Sequence, residues 1–383
     1  MQKRSLDYLL IGPAFPFRGG ISETQHNLAK ALKRKGKKVE LLTFTKLYPK
    51  ILFPGKSQFS LEKPPRDLKI NRYLHAYNPF VWSKVVKYII KINPKILVFR
   101  YYNPFLGISY GWIAKKIPNN IKKVALVDNW IPHEKGMLDR VINIHFAKYI
   151  DIFTCLSNNV EEQIKKDVKV PIWSGFHPIN YDLKPSIDQN KARSILKFEK
   201  TTFYVLFFGL VRKYKGLDLL IKAFNHPSIR KQNIKLYVAG ECYENQNKYF
   251  SLVKKLKLKK KIILDFNFKS LSEIQLLFSA SDLIAQTYQS STQSGVTPIA
   301  YHYRKPILVS DVEGLKSQIV EDKSGEIVER EPKAVANGII KILDKTGTNF
   351  YTKNIEKVIN KNSWGTFVNN WEEFISKKNI SIY

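Results

Sequence analysis

The sequence predicts an α/β protein made of two doubly wound domains in tandem, each with a mostly parallel sheet. Apolar runs of strand length alternate with segments of helical periodicity along most of the chain. The alternation stops once, at a stretch rich in proline and glycine over 171–186, and then resumes. The length of 383 residues fits about two domains, and a hydrophobic content of 44% is enough to build their cores.

The first domain is predicted to begin with a βαβ unit. A strand at Tyr8–Gly12 is followed by a loop of proline and glycine residues and then by a helix over 21–36. Ser22, with Gln25 three residues later, fits a capping box at the start of this helix. A strand at Val39–Phe44 completes the unit.

The same alternation continues to the interruption. The further elements predicted in the first domain are a helix over 80–92, strands at Ile96–Phe99, Val124–Val127 and Ile150–Thr154, and a helix over 158–166. We expect the linker between the domains near 171–186. The predicted division is a first domain over 1–177, a second domain over 178–361 and a C-terminal helix over 362–383.

The second domain repeats the pattern. The predicted strands are Phe203–Phe208, Ile234–Ala239, Ile262–Phe266, Asp282–Ala285 and Pro306–Val309, and the predicted helices lie over 216–224, over 272–279 and from 295 onward. In such sheets ligands bind beyond the carboxyl ends of the strands. With two facing domains, we expect the site in the cleft between them.

The C-terminal helix carries aromatic residues on one stripe. They are Trp364, Phe367, Trp371 and Phe374, spaced i, i+3, i+7 and i+10. We expect this stripe to dock the helix back onto the first domain.

Composition excludes several classes of protein. The formal net charge of +32 attracts polyanions, although a lysine-rich composition alone explains it equally well. The two cysteines, Cys155 and Cys242, are too few for a disulfide scaffold or a cysteine-based zinc cluster, and we expect buried thiols. The apolar run at Tyr8–Gly12 does not resemble a signal peptide, and the longest uncharged stretch, 101–114, is too short to span a membrane.

Two loops of the first domain follow predicted strands. Residues 18–21 contain a glycine pair before a helix, where a ligand can approach the backbone and free N–H groups can meet an anion. A plain tight turn explains this pattern equally well, and it is not a nicotinamide fingerprint. Asp128, His133 and Glu134 follow the strand at 124–127, a position that favours a functional role over a purely structural one.

Two loops of the second domain are rich in polar groups. The loop Gly209–Gly216 carries Arg212 and Lys215, which together suit a diphosphate, because arginine binds oxygens bidentately and lysine acts as a point charge. The loop Thr287–Val296 is rich in hydroxyls and amides and ends at a predicted helix start, so it can hold sugar hydroxyls and phosphate oxygens. Solvated charges and a serine/threonine turn are the structural alternatives.

Together these elements resemble family 4 retaining glycosyltransferases of the GT-B fold, over nearly the whole chain. The matching segments are Gly12–Ile21, Asp128–Glu134 with its D-N-x-I-P-H-E signature, Gly209–Leu217, Tyr288–Val296 with its T-Q-S-G-V signature, Lys305–Leu308 and Asp311–Leu315. The resemblance implies sugar transfer from a nucleotide diphosphate sugar to a glycan or lipid-linked acceptor, with retained anomeric configuration.

The resemblance also implies the residues of the site. It implies that His133 and Asp128 are the catalytic candidates and that they would lie near the transferred sugar. As donor-binding residues it implies Gly19, Gly20, Arg212, Lys215, Ser291, Thr292, Gln293, Ser294, Gly295 and Val296. Arg212 and Lys215 would hold the diphosphate. No metal ion and no other cofactor is implied.

The chain departs from the family pattern at four positions. Ser291 and Ile299 stand where the family commonly has a pair of glutamates. Leu210 stands where an arginine is common, so Arg212 must substitute for it. Many relatives have histidine where this chain has Asp128.

We expect the activity to serve cell-surface polysaccharide or glycolipid synthesis, in the cytoplasm at the inner face of the membrane. The segment Phe80–Tyr88 is aromatic and basic, which suits peripheral docking on an anionic membrane and equally suits a core helix. The alternatives are a nucleotide-sugar epimerase or phosphorylase of the same fold, and a non-catalytic relative that binds a glycan or nucleotide. No nucleic-acid-binding motif is present, so nucleic acid is not an expected partner.

Overall fold

The chain divides into two units, each with its own sheet. Unit 1 comprises Met1–Asn180 and Trp364–Tyr383, and unit 2 comprises Tyr181–Ser363. The structure is a computed structural model, and the residues that it describes are 6–48, 58–60, 63–132, 136–179 and 182–377.

Unit 1 is a doubly wound parallel sheet. Its strands are β1 Tyr8–Ile11, β2 Val39–Lys46, β3 Ile70–His75, β4 Ile96–Tyr101, β5 Lys122–Val127, β6 Ile152–Cys155 and β7 Ile172–Ser174. Its helices up to residue 180 are α1 Gly20–Arg34, α2 Pro79–Ile92, α3 Leu106–Lys116, α4 Asp139–Ala147 and α5 Asn158–Lys165. Within the described residues the strand order is β3-β2-β1-β4-β5-β6-β7. The order therefore reverses between β1 and β4, where such sheets open a crevice at their carboxyl ends.

Helix α1 begins earlier than its sequence predicts. The N-cap is Gly19, with φ 106° and ψ 170°, and no side chain caps the helix. Ser22 therefore lies inside the first turn, and its hydroxyl has no hydrogen-bond partner among the described residues. The predicted capping box of Ser22 and Gln25 is wrong, because the glycine pair lets the chain enter the helix before Ser22.

Unit 2 repeats the architecture with a second parallel sheet. Its strands are β8 Phe203–Phe208, β9 Ile234–Ala239, β10 Ile262–Asp265, β11 Leu283–Gln286, β12 Ile307–Ser310 and β13 Gly325–Val328. Its helices are α6 Gln189–Leu196, α7 Leu217–Ala223, α8 Pro227–Arg230, α9 Asn247–Lys255, α10 Leu271–Ala280, α11 Val296–His302, α12 Glu313–Asp322, α13 Pro332–Lys345 and α14 Phe350–Val358. The described strands are ordered β10-β9-β8-β11-β12-β13. This order reverses between β8 and β11. The predicted fold class of two doubly wound parallel sheets is confirmed.

The C-terminal helix α15, Trp364–Lys377, belongs to unit 1. Trp364, Phe367 and Trp371 of the predicted stripe are fully buried. The Trp371 ring lies 5.7 Å from the Tyr8 ring, measured between centroids. The hydroxyl of Tyr8 donates a hydrogen bond of 2.8 Å to Glu372. The helix is therefore held in unit 1 by aromatic packing and by a buried carboxylate.

One segment assigned to the linker belongs to a sheet. Strand β7, Ile172–Ser174, pairs with β6 through Phe153 and Cys155. Its three residues are too few to show a strand period, so only the pairing with β6 reveals them.

Both cysteines are free, Cys155 being buried and Cys242 half-buried, so the expectation of two buried thiols is wrong for Cys242. No helix in the described part of the chain combines the length and the apolar character that a membrane crossing requires.

Candidate functional site

The carboxyl end of β8 in unit 2 carries the predicted diphosphate loop. Arg212 has extended backbone and precedes a single 3-10 turn, Lys213–Lys215, which ends at Gly216. Gly216 has φ 64°, and a Cβ on it would lie 2.0 Å from the Thr287 carbonyl oxygen. Only glycine fits this left-handed position so close to another backbone. The turn is therefore fixed against the loop that follows β11.

Arg212 and Lys215 lie over aromatic rings. The Arg212 guanidinium carbon is 5.2 Å from the centroid of the Tyr243 ring. The Lys215 ammonium is 5.2 Å from the centroid of the Tyr288 ring. Both side chains are half-buried, and neither forms an ion pair with any residue that the structure describes. Aromatic faces hold a cation in place and leave its charge uncompensated, so an anion can still be attracted.

Burial lowers the pKa of Lys215 below its ordinary value of 10.5, and the positive charge of Arg212 lowers it further. The Lys215 ammonium lies close to the end of β8, since it would be 3.2 Å from a Cβ placed on Gly209. Two cations thus stand at the reversal point of the strand order, where a parallel sheet binds its ligands.

The loop Thr287–Val296 is tied to the diphosphate loop. The Thr287 hydroxyl donates to the Gly216 carbonyl oxygen over 3.0 Å. The Gln289 backbone N–H donates to the Tyr214 carbonyl oxygen over 2.5 Å. The structure therefore brings together two of the sequence-predicted motifs, which are about 70 residues apart in the chain.

Some of the hydroxyls and amides predicted to bind the donor form hydrogen bonds within their own loop. The Val296 backbone N–H donates to the Ser294 hydroxyl over 3.2 Å. The Ser291 hydroxyl donates to the Gln293 carbonyl oxygen over 2.7 Å. Thr292 is buried. The short helix α11 begins after Gly295 without a side-chain cap. Residues 287–296 include no charged side chain, so positive charge at this edge comes from neighbouring segments such as the diphosphate loop.

In unit 1 the glycine pair lies at the start of α1, in the connection that follows β1. A Cβ placed on Gly19 or on Gly20 would meet no atom within 4 Å among the described residues. The backbone at the start of α1 is therefore open to a ligand.

Asp128, one of the two catalytic candidates, forms a buried ion pair. Its Oδ2 accepts from Arg100 Nε over 2.6 Å, and its Oδ1 accepts from Arg100 Nη2 over 2.5 Å. Arg100 is fully buried and Asp128 is 4% exposed. A bidentate guanidinium occupies both carboxylate oxygens. The arrangement suits Asp128 for holding a loop in place. The other catalytic candidate, His133, and Glu134 lie outside the described residues.

Several residues at these edges are not among the site residues that the sequence predicts. Arg100 is the penultimate residue of the otherwise apolar strand β4, and a charge in that position is the signal that could have revealed it. Tyr243 carries no such signal, because aromatic residues are common in cores. Tyr288 lies in the predicted loop 287–296, where nothing in the sequence distinguishes it from its neighbours. His177 lies near Asp128 and Arg100. Burial lowers the pKa of His177, although the charge of Asp128 opposes this shift.

The described residues contain no group of three or more histidine, cysteine, aspartate and glutamate side chains placed to hold a metal ion.

Residues 188–361, most of unit 2, match the model of the family described as glycosyl transferases group 1. No curated protein matches the chain.

Solved structures resemble the whole chain. Sucrose-phosphate synthase from Thermosynechococcus elongatus has a TM-score of 0.77 at 16% identity, and the alignment covers 97% of this chain and 98% of that one. A glycosyltransferase from Rickettsia africae has a TM-score of 0.74 at 19% identity, with 98% and 99% covered. HepE from Anabaena, in complex with UDP-glucose, has a TM-score of 0.76 at 15% identity, with 97% and 100% covered.

These likenesses extend over both units, while the family match is confined to unit 2. The chain has the GT-B fold of solved glycosyltransferases, and most of its second unit matches the glycosyl transferases group 1 model.

Proposed function

We propose that the protein is a retaining glycosyltransferase that moves a sugar from a nucleotide diphosphate sugar to a glycan or lipid-linked acceptor. The observation that carries the proposal is the pair of cations Arg212 and Lys215 at the carboxyl edge of unit 2, which have no ion-pair partner among the described residues. The structural likeness to HepE, which was solved in complex with UDP-glucose, supports a donor of this class.

In the proposed reaction, the bond between the sugar and the diphosphate breaks, and the acceptor hydroxyl oxygen bonds to the same anomeric carbon and gives its proton to the leaving diphosphate. Negative charge grows on that diphosphate as its bond breaks. Arg212 and Lys215 stabilise that charge, because fixed cations in a partly desolvated site need little reorganisation when the charge develops. The hydroxyls and amides of residues 291–296 orient the donor. Gly19 and Gly20 leave backbone space for the substrates. The proposal includes no resident metal ion.

Roles in unit 1 follow from the resemblance and from the ion pair. Asp128 is held by Arg100, so we assign it to the positioning of its loop. His133 is then the candidate for contact with the transferred sugar.

The acceptor class is supported by the surface of α2. Phe80 is 86% exposed, and Lys84 and Lys87 are exposed on the same helix, while Trp82 and Val85 are buried in the core. An exposed aromatic side chain on the same helix as exposed lysines suits contact with an anionic membrane, where a lipid-linked acceptor would be found. We therefore include glycolipid or surface-polysaccharide synthesis in the proposal.

A screen of nucleotide diphosphate sugars tests the donor class. A matching donor should raise the melting temperature by mass action. The same donor should then give sugar transfer to a lipid-linked or soluble glycan acceptor, and the NMR spectrum of the product should show the anomeric configuration of the donor. An inverted product would contradict retention, and no transfer with any donor that binds would contradict the activity.

One alternative is favoured by a specific observation. Ser291 and Ile299 replace the carboxylates that the family commonly has, which fits a relative that binds the donor without transferring it. Calorimetry showing tight donor binding, together with no turnover by the same preparation, would support this alternative.

A further inference from the structure

Arg100 joins two segments that are far apart in the chain. Its guanidinium holds the Asp128 carboxylate through Nε and Nη2. The same Nη2 donates to the Thr24 hydroxyl oxygen over 2.9 Å. Thr24 lies 76 residues before Arg100, and Asp128 lies 28 residues after it. One fully buried side chain thus spans the reversal point of the unit 1 sheet.

The contact with Thr24 reaches the glycine pair. The Thr24 hydroxyl lies 2.8 Å from the carbonyl oxygen of Gly20 and 3.0 Å from that of Ile21, which it can donate to. Arg100 is therefore linked through Thr24 to the first turn of α1. On its other side it is linked through Asp128 to the loop that leads to residues 129–132.

The polar groups around Arg100 are incompletely bonded. Arg100 Nη1 and both amide atoms of Gln25 are buried and have no hydrogen-bond partner among the described residues. A buried polar group without a partner costs stability. An ion pair that served stability alone would be expected to satisfy all its donors.

Unit 2 contains an ion pair whose donors are all satisfied, and this pair serves as the comparison for Arg100 and Asp128. Arg193 Nη2 lies 2.6 Å from Asp282 Oδ2. Arg193 Nε donates to the Ala280 carbonyl oxygen, and Nη1 donates to the Lys200 carbonyl oxygen. All three nitrogens are bonded. This pair lies at the amino end of β11, opposite the edge that carries the candidate site.

We propose that Arg100 is a positioning residue that sets the spacing between the start of α1 and the Asp128 loop. The inference rests on the proposed function, since it gives both segments a part in the transfer reaction. The guanidinium is planar and has three fixed contacts, so a displacement of the start of α1 is transmitted to the Asp128 loop, and the reverse.

Four variants test the proposal: Arg100→Lys, Thr24→Val, Thr24→Ser and Arg193→Lys. Arg100→Lys keeps the positive charge and removes the guanidinium group, which makes the two-pronged contact with Asp128. Thr24→Val removes the link to α1 and leaves the ion pair, while Thr24→Ser restores the hydroxyl. Arg193→Lys is the matched control, because it weakens a buried pair away from the site.

Hydrogen exchange measured by mass spectrometry gives the readout that does not depend on activity. In Arg100→Lys and Thr24→Val, exchange should rise together over residues 20–24 and 128–132. Thr24→Ser and Arg193→Lys should leave both segments at the wild-type rate. Unchanged exchange in both segments of Arg100→Lys would overturn the proposal, whatever the activity.

Steady-state kinetics gives the second readout. Displacing a positioned group by about 1 Å can cost about 10²-fold in rate. We expect kcat to fall on that order in Arg100→Lys and about tenfold in Thr24→Val, with smaller changes in the donor KM. Arg193→Lys should lower the melting temperature with kcat unchanged. Equal loss of kcat in Arg193→Lys would overturn the positioning role. An inactive wild-type protein would instead refute the proposed function, while the exchange result would still decide the coupling.

Discussion

The carboxyl edges of the two sheets differ in whether a carboxylate neutralises the positive charge that they carry. In unit 1, Arg100 is fully buried and both oxygens of Asp128 neutralise it. In unit 2, Arg212 and Lys215 are half-buried and lie over Tyr243 and Tyr288, with no carboxylate partner in the described part of the chain.

The charge of Arg100 is therefore used within the fold, whereas the charges of Arg212 and Lys215 are available to a ligand. A buried arginine paired bidentately has little attraction left for an incoming anion, since the pair is neutral. A cation over a ring keeps its net charge. Loss of the first should therefore lower stability as well as displace the segments that Arg100 positions, whereas loss of the second should reduce binding and turnover with little change in stability.

The largest effect is expected from Asp128→Asn. It leaves Arg100 buried without a countercharge, and breaking a buried pair from one side costs about 3–5 kcal/mol. Urea unfolding should show this decrease in the free energy of unfolding. Glu356→Gln is the control, because Glu356 pairs with Arg304 at 3.1 Å with both side chains about half exposed, where such pairs contribute about 0–1 kcal/mol. Equal effects in both variants would show that the Arg100 pair is not committed to the fold.

Arg212→Ala and Lys215→Ala should each reduce transferase turnover by about 10²-fold, the effect of removing one contact to a developing charge. The melting temperature of the unliganded protein should change little. Lys213→Ala is a matched control from the same turn, since Lys213 is exposed. Turnover that falls no further in the two variants than in Lys213→Ala would remove the basis of the diphosphate assignment.

Gly216→Ala should destabilise unit 2 by about 1–3 kcal/mol, because its Cβ would collide with the Thr287 carbonyl oxygen at a left-handed position. It should also separate the two loops that carry the candidate donor residues. Gly347→Ala serves as the control, since a Cβ there meets no described atom within 4 Å. Thermal unfolding measures both. Wild-type stability in Gly216→Ala would mean that the two loops are not held by this contact.

The smallest effect is a pH dependence of donor binding. Burial lowers the pKa of Lys215, so its charge is lost at a pH below the ordinary lysine range. Affinity for a nucleoside diphosphate should fall as the pH rises through the lowered pKa. Calorimetry over a pH series that extends from neutral pH to the ordinary lysine pKa of 10.5 would detect this decline.

Lys215→Arg should abolish this decline, because arginine stays charged over the whole range. The stability of the unliganded wild type should change with pH in the opposite direction to the affinity. Between the lowered pKa and 10.5 its native state binds fewer protons than its unfolded state, so its stability should rise with pH. A decline that persists unchanged in Lys215→Arg would assign the titration to another group.

Much of the fold was predictable because strand periodicity is local. Strands β8 and β9 have the predicted bounds, Phe203–Phe208 and Ile234–Ala239. The start of α1 was misplaced because a glycine pair outweighed the serine cap. Strand β7 has no predicted counterpart because three residues show no period, and β3 lies in a stretch where no strand is predicted.

The candidate site was predictable where one loop carries the chemistry. Arg212 and Lys215 follow one strand within four residues of each other, so the sequence alone placed them together. The pairing of Arg100 with Asp128 was not predictable, because it depends on β4 and β5 being neighbours in the sheet.

The local sequence sets the local character of this protein: where most strands and helices lie, which loops carry cations and hydroxyls, and how large the positive excess is. Arg100 and Arg212 look alike at that level, since each lies at or just beyond the end of an apolar strand. Their different neighbours, a carboxylate for Arg100 and an aromatic ring for Arg212, follow from the strand order within each folded unit. The reason is that an arginine's charge is compensated by whatever the strand order places within a few ångströms, and that order is a property of the whole sheet.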